Sequence, residues 1–303
     1  MQIVEFVKLA RPSHWIKNAV VFLPVFSSKH MGDKNAWLAA FAAAVAFCFA
    51  SSFAYILNDI KDRKADSRHP NKKDRPLARE TVSLTAALAE AFCFLAAAVA
   101  ISLGVSMVLF FVIALYLALQ ILYSTWLKQK PLIDVICIAL GFVLRASAGA
   151  VAIKVILSPW LFICMFTICL FMGFCKRYNE TVTLANAEKA EDHRSTLIAY
   201  TPDLLTHLIT LSAGIAVVVF LFYGLNPSTV ERFGTHFLIY TLPIVVYGVF
   251  RFAMLSMRGV YSDPTDLILH DKPFQATVGI WIIMALSIIL YGVSLKEWLT
   301  GLV

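Results

Sequence analysis

The sequence predicts an all-α, polytopic membrane protein of about nine transmembrane helices, built as a single domain over residues 1–303. Three observations predict it. The chain is 60% hydrophobic and only 15% charged, against roughly 25% charged residues in soluble globular proteins. Its apolar residues gather into runs of about 20, the length an α-helix needs to cross about 30 Å of hydrocarbon. Its Lys and Arg residues concentrate in alternate connections between those runs, as orientation by positive charge requires.

Taken in order, the runs cover approximately residues 10–27, 36–57, 82–103, 105–126, 132–153, 157–175, 204–225, 235–257 and 274–296. The first is the weakest, because Lys17 and Pro24 interrupt it. The second leads directly into a polar stretch opening at Asn58, and the fourth ends at YSTWLK. The fifth carries Arg145 about 13 residues inside, roughly 20 Å along a helix, where a charge is costly and is either functional or tied to neighbouring carbonyls. The sixth stops at Lys176 and Arg177, and the eighth carries Arg251.

With nine runs the connections sort into two sets. The N-terminal segment and the stretches near 61–79, 127–131, 176–203 and 258–273 hold nineteen of the 26 Lys and Arg residues. The other set holds Lys29, Lys34, Lys154, Arg232 and Lys296. The bias predicts a protein of the cell (inner) membrane with its N-terminus and its long charged connections in the cytoplasm and its C-terminus opposite. The net charge of +7 sits mostly on that cytoplasmic face, where anionic headgroups attract it.

Six cysteines, at 48, 93, 137, 164, 169 and 175, lie in or beside apolar runs without a C-x-x-C, so they read as packing residues rather than a zinc site. The opening MQIVEFVKLARPSHWIKN lacks a short apolar core and a small-residue cleavage site, and no removable signal peptide is expected. The histidines are scattered over loops and helix ends.

The chemistry begins where the second run ends. If that helix continues to Asp66, Asn58, Asp62 and Asp66 stand at i, i+4 and i+8 and project from nearly one face. Carboxylates and an amide oxygen are hard ligands, and Mg²⁺ takes one or two carboxylates while keeping positions for water and phosphate. Adjacent acids repel unless a cation joins them. The following stretch is densely basic, with Lys61, Arg63, Lys64, Arg68, Lys72 and Arg75. Acids that chelate a divalent cation among Lys and Arg are equipped to hold a diphosphate and stabilise it as it leaves. The plainer alternative is a solvated helix end whose acids are neutralised by those same cations.

These residues resemble the UbiA-type membrane transferases, whose first signature reads N-x-x-x-D-x-x-x-D and is matched by Asn58, Asp62 and Asp66. The likeness extends to RPSHWIKN at the start and YSTWLK at 123–128. It implies a UbiA-like helical bundle with an active-site cavity facing the cytoplasm and Mg²⁺ bridging aspartates and a diphosphate. Prenyl-transferring members carry a second acidic signature between the sixth and seventh spans; here that place reads CKRYNETVTLANAEKAEDHRSTLIAYT. The sequence is similar to the decaprenyl-phosphate phosphoribosyltransferase branch in Trp15, Lys17 and Asn18, in Asp59 beside the acidic signature, in His69, Pro70, Lys72, Arg75 and Pro76, and in Lys176, Arg177 and Glu180.

That resemblance implies transfer of a 5-phosphoribosyl group from phosphoribosyl diphosphate to a polyprenyl phosphate, in the service of cell envelope biosynthesis. Asp62, Asp66, Lys176 and Arg177 would be catalytic, and Asn58, Asp62 and Asp66 would hold Mg²⁺. Lys17, Asn18, Asp59, Lys72, Arg75, Lys128, Glu180 and Arg194 would bind substrate. The chemistry suits the composition: this donor and acceptor bring two more phosphates than a prenyl transfer, and the second arm has turned from acidic to cationic. An acceptor phosphate is already an anion, so no general base is needed.

Two other functions compete. An aromatic prenyltransferase of the same architecture, with a 4-hydroxybenzoate or quinone-precursor acceptor, is disfavoured by the missing second acidic signature. A cation-coupled transporter is disfavoured by the lack of an internal repeat. No nucleic acid partner is implied. Asp263, Asp266 and Asp271 are expected in a capping or lid loop, and the 23 Phe residues in packing, lipid contact and the polyprenyl groove.

Overall fold

The computed structural model describes residues 2–28, 30–67, 73–185, 199–261 and 264–300, and among these every regular element is helical. The helices are α1 (Gln2–Ala10), a 3₁₀ segment (Pro12–Phe22), α2 (Leu23–Phe26), α3 (Lys34–Asp66), α4 (Leu84–Val105), α5 (Met107–Thr125) and α6 (Ile133–Ala152). They continue with α7 (Pro159–Ala185), α8 (Pro202–Leu225), α9 (Pro227–Phe233), α10 (Leu242–Met257), α11 (Pro264–His270) and α12 (Lys272–Thr300). Eight helical stretches among the described residues are long and apolar enough to cross a membrane, and they coincide with the second to ninth predicted runs.

The first predicted run differs in form. Between Arg11 and Phe22 the chain winds as a 3₁₀ helix, followed by the single turn of α2. Pro12 and Pro24 each withhold a backbone donor, and the tighter winding gives more length per residue. At about 2.0 Å per residue the 3₁₀ segment rises about 22 Å and α2 adds about 6 Å. Fifteen residues thereby cover nearly the reach of a 20-residue α-helix. The segment runs antiparallel to α3: Trp15 donates to Ser52 Oγ at 3.0 Å and Asn18 to Ser51 Oγ at 3.4 Å, while Val25 packs with Ala36 and Ala40 near the start of α3.

Local sequence sets the helix ends. Asp33, Ser83, Ser106, Thr201 and Asn226 cap the N-termini of α3, α4, α5, α8 and α9 with side-chain oxygens, each satisfying an otherwise orphaned N–H. Ser106 alone, in extended backbone, separates α4 from α5. Gly234 closes α9 at φ +72°, a left-handed conformation suited to glycine.

The chain groups into two compact units, Met1–Lys130 with Leu140–Leu157 and Pro131–Ala139 with Ser158–Val303. In the first unit the alanine-rich face of α3 (Ala43, Ala46, Ala50), with Phe47 of the same helix, lets Leu109, Ile113, Tyr116 and Ala148 pack closely against it, as small residues do where helices meet in lipid. The tightest approach is Gly149 of α6, where an added Cβ would lie 1.8 Å from the Val21 carbonyl oxygen. A second cluster (Leu9, Ile56, Leu77, Val82, Ala87) packs beneath the polar end of α3. In the second unit Phe171, Phe174 and Cys175 of α7 pack with Leu205 and Ile209 of α8, Val249 and Phe252 of α10, and Tyr200. Large apolar side chains such as Phe92, Phe111, Leu115 and Ile283 stand exposed on the outer faces, as lipid contact requires.

Candidate active site

The last two turns of α3 carry the expected signature, and the helix does continue to Asp66. At about 100° per residue, Asn58, Asp62, Asp66 and Asp59 fall within an arc of about 100°. Three neighbouring segments of the first unit bring cations to that arc. Arg11, at the junction of α1 and the 3₁₀ segment, donates Nη2 to both Asp59 oxygens at 2.5 and 2.7 Å. Arg75, beyond α3, donates Nη1 to Asp66 Oδ2 at 2.6 Å and to Asp59 Oδ1 at 3.1 Å. Lys128, just past α5, reaches both Asp62 oxygens at 2.7 Å.

Each cation is delivered for a local reason. Arg11 sits at φ 53°, a left-handed conformation costing about 1–2 kcal/mol for a residue with a Cβ; the two-oxygen bond to Asp59 and the Tyr55 ring 5.3 Å away hold it there. Lys61 donates to the Ser124 and Thr125 carbonyls at 3.0 and 2.8 Å. It thus satisfies the end of α5 and docks it on α3, which leaves Lys128 opposite Asp62. The carboxylates of Asp59 and Asp66 are almost fully buried, that of Asp62 is about one-quarter exposed, and Arg75 is similarly accessible.

The donor set suits Mg²⁺. Asp62 and Asp66 lie one turn apart beside Asn58, and hard oxygens are what this ion takes. Asp59 is committed to two guanidinium groups. Among the described residues no group of three or more His, Cys, Asp or Glu side chains is placed to hold a metal ion, so Asp62, Asp66 and Asn58 could supply only part of a coordination sphere. Water and phosphate oxygens would complete the sphere, the common arrangement for Mg²⁺ on a phosphorylated substrate.

The second unit holds its own polar network. Arg177 of α7 pairs through Nε with Asp134 at 2.7 Å and through Nη1 with Glu180. Asp134 also accepts from the Tyr200 hydroxyl at 2.8 Å, and that hydroxyl accepts from the Leu132 N–H at 2.6 Å. Asp134, Arg177 and Tyr200 are buried to within 2%. Burial also pushes the Tyr200 phenol well above its ordinary pKa. Lys176 and Glu180 are half-buried.

Other predicted site residues lie as follows. Asn18 is buried, accepting from Arg145 Nε at 2.7 Å and donating to Ser51 and Cys48, so its amide braces the 3₁₀ segment. Lys17 precedes it, half-buried. Arg145 further donates to Tyr116 Oη at 3.0 Å and the Gly141 carbonyl at 2.8 Å, with its guanidinium 4.9 Å from the Tyr116 ring centroid. Asp271 pairs with Arg251 at 2.7 and 2.9 Å and caps the N-terminus of α12 through Phe274 N–H; the stretch expected as a capping or lid loop instead carries the helix α11 at Pro264–His270. Lys72, Arg194, His69, Pro70 and Asp263 lie outside the described residues.

Sequence reasoning missed Arg11, Asp134 and Tyr200 as members of these networks. Asp134 carried a usable signal, an acid inside an apolar run. Arg11 and Tyr200 carried none, because only the fold shows what they face.

Fold and site together describe an integral membrane protein whose longest helix ends in acids interleaved with Lys and Arg. Residues 21–268 match the UbiA prenyltransferase family, and the chain belongs to that family; it is a membrane transferase. It is 31% identical over 290 residues to the decaprenyl-phosphate phosphoribosyltransferase of Mycolicibacterium smegmatis, covering 91% of this chain and 89% of that one. It is 31% identical over 300 residues to the Mycobacterium tuberculosis protein of the same name, covering 94% of both. Its fold matches a UbiA homolog from Archaeoglobus fulgidus bound to GPP and Mg²⁺, with TM-score 0.72 over 94% of this chain and 99% of that one at 18% identity.

Proposed function

We propose that the protein transfers a 5-phosphoribosyl group from phosphoribosyl diphosphate to a polyprenyl phosphate and releases diphosphate in a Mg²⁺-dependent reaction. The observation that carries the reading is the charge pattern at the end of α3. Asp62 and Asp66 supply two carboxylates, and Lys128 and Arg75 stand within hydrogen-bond distance of them, on a chain similar over nine-tenths of its length to phosphoribosyltransferases of this kind.

Asn58, Asp62 and Asp66 are the metal ligands in this proposal. Bound there, Mg²⁺ would neutralise charge on the diphosphate as it departs. Arg75, Lys128 and Lys17 bind phosphate oxygens, the arginine through its fork and the lysines as point charges; Lys72 and Arg194 are assigned the same task. The bond from the anomeric carbon to diphosphate breaks with its electron pair on the leaving group. An anionic oxygen of the polyprenyl phosphate forms the new bond from the opposite face, and no proton has to be removed.

Asp59 enters by fixing Arg11 and Arg75, and Asn18 by fixing the 3₁₀ segment that bears Lys17. Within the second unit, Arg177, beside Lys176, ties α7 to Asp134 and pairs with Glu180. The basic bias of the sequence supports a cytoplasmic site and N-terminus, with the C-terminus on the other side.

The test is to incubate purified protein in detergent with Mg²⁺, a polyprenyl phosphate and radiolabelled phosphoribosyl diphosphate and to extract the lipid. Label in the organic phase that disappears with EDTA supports the proposal. Absence of label, with transfer of a prenyl group to an aromatic acid in a parallel tube, refutes it in favour of the aromatic prenyltransferase.

A further inference from the structure

From Pro12 to Phe22 the chain is 3₁₀ for 11 residues, although 3₁₀ runs beyond three or four residues are uncommon, because their hydrogen bonds are poorly aligned. Nothing from Ser13 to Phe22 forbids an α-helix. Pro12, the one proline of the segment, stands at its first position, where a helix tolerates it. Tertiary contacts must therefore hold the winding. In a 3₁₀ helix residues three apart eclipse, so Trp15, Asn18 and Val21 form one edge. Each meets the bundle there: Trp15 at Ser52, Asn18 at Ser51 and Arg145, Val21 at Gly149. Ser13, Ile16 and Ala19 form an exposed edge, and Lys17 stands on the third with His14 and Val20, half-buried.

Arg145 reaches this segment from inside α6. It is 5% exposed, its hydrogen-bond partners are all neutral, and the rings of Phe47, Tyr116 and Phe142 lie 4.9–6.0 Å from its guanidinium. A cation so placed in a membrane span is costly and marks function. Its geometry is specific. Nη1 bonds the Gly141 carbonyl one turn back on α6 and Nη2 bonds Tyr116 on α5, so two helices fix the planar fork and aim Nε at Asn18 Oδ1, 2.7 Å away. The amide is held at its other end too, where Nδ2 donates to Ser51 and Cys48. A lysine keeps the charge but cannot present three donors in one plane.

Without this hold the segment is free to relax toward α winding, with about 100° instead of about 120° per residue and about 1.5 instead of about 2.0 Å of rise. Lys17, five residues beyond Pro12, would then turn by about 100° and draw back by about 2.5 Å. We infer that Arg145 is a positioning residue: through Asn18 it keeps residues 12–22 in 3₁₀ winding and thereby sets where the Lys17 ammonium stands. That Lys17 binds a substrate phosphate rests on the proposed function; the winding does not.

The experiment has two arms. In the first, nitroxide labels are attached through Ser13→Cys and Gly32→Cys, at exposed positions on either side of the segment, with the exposed Cys93 replaced by serine. Their separation is measured in detergent by double electron–electron resonance. Arg145→Lys is expected to shorten it, by up to about 5 Å for full relaxation. Asn18→Ala, which deletes the same bond from the other side, is expected to do the same. An unchanged separation in either variant, once folded, overturns the inference, and this arm needs no substrate.

The second arm is the lipid-labelling assay, with KM measured for both substrates. Lys17→Met is expected to raise one KM about tenfold or more, the worth of a charged hydrogen bond to phosphate. Arg145→Lys is expected to raise the same KM with kcat within about twofold, and to add nothing in the Lys17→Met background. A fall in kcat with both KM values unchanged makes Arg145 merely structural and overturns the positioning. So does a rise in KM that persists undiminished beside Lys17→Met, or a Lys17→Met protein with both KM values unchanged. Wild-type protein that transfers no phosphoribosyl group refutes the proposed function instead, and the hold on the winding then stands or falls on the distance.

Discussion

Replacing Gly149 by alanine tests the close approach of α6 to the 3₁₀ segment. The added Cβ would stand 1.8 Å from the Val21 carbonyl oxygen and 2.8 Å from its carbon. Both atoms belong to the backbone, so no flexible side chain can yield. Even the shortest separation that real Cβ atoms show, 3.0 Å, demands a shift of about 1.2 Å between α6 and the 3₁₀ segment. Overpacking of this kind costs about 1–3 kcal/mol.

The same shift strains the bond between Arg145 Nε and Asn18 Oδ1, now 2.7 Å, since Asn18 lies three residues before Val21 on the segment that moves. Losing a hydrogen bond to a charged group costs about 1.5–3 kcal/mol. Alanine returns about 1 kcal/mol of helix propensity over glycine. The net loss expected is about 1.5–5 kcal/mol. Equilibrium unfolding in mixed micelles of rising SDS fraction measures it. Gly214→Ala is the internal control, because nothing lies within 4 Å of its added Cβ, and it is expected to be neutral or stabilised by up to about 1 kcal/mol. Gly149→Ala within about 0.5 kcal/mol of wild type would refute the close approach and the positioning of the 3₁₀ segment derived from it.

Asp62→Asn is expected to lower turnover by about 10²–10³ or more in a protein that still folds; near-normal activity in the lipid-labelling assay would remove the metal-site assignment. Tyr200→Phe deprives Asp134 of a donor and the Leu132 N–H of its acceptor, and a loss of about 1–3 kcal/mol is expected in the SDS titration. At Asp271, the hydrogen bonds from Arg251 hold the carboxyl below its ordinary pKa. Its stabilising contribution is therefore complete above the unfolded value of about 4 and is lost as pH falls through the lower folded value. Thermal unfolding followed from pH 7 to 3 should show Asp271→Asn less stable than wild type by a constant amount above about pH 5, with the difference shrinking as the pH falls toward 3.

The polar end of α3 shows how much of the site was legible. Asn58, Asp62 and Asp66 could be read together because helical periodicity is a local property, and the unbroken helix through Asp66 keeps the face that the spacing implied. Arg75 and Lys128 could be named through the family resemblance, which covers the RP segment and YSTWLK that carry them. Their pairing could not be read, since Lys128 is 66 residues from Asp62 in the chain. Asp59 looked like one more acid of the signature and is instead the anchor of two arginines. Asn18 and Arg145 were separate puzzles in the sequence, and the structure joins them across 127 residues.

Composition and pattern by themselves determined that the chain is an integral membrane protein, where eight of its long helices run, and which helix end carries the acids. The reason is that hydrocarbon admits a continuous helix only where about 20 apolar residues follow one another, a condition written along the chain. Tertiary structure decided the rest: the 3₁₀ form of the first predicted run, the glycine contact beneath it, and the partner of each charge. Those depend on which segments lie side by side, and a buried charge takes its character from the neighbour that packing brings to it.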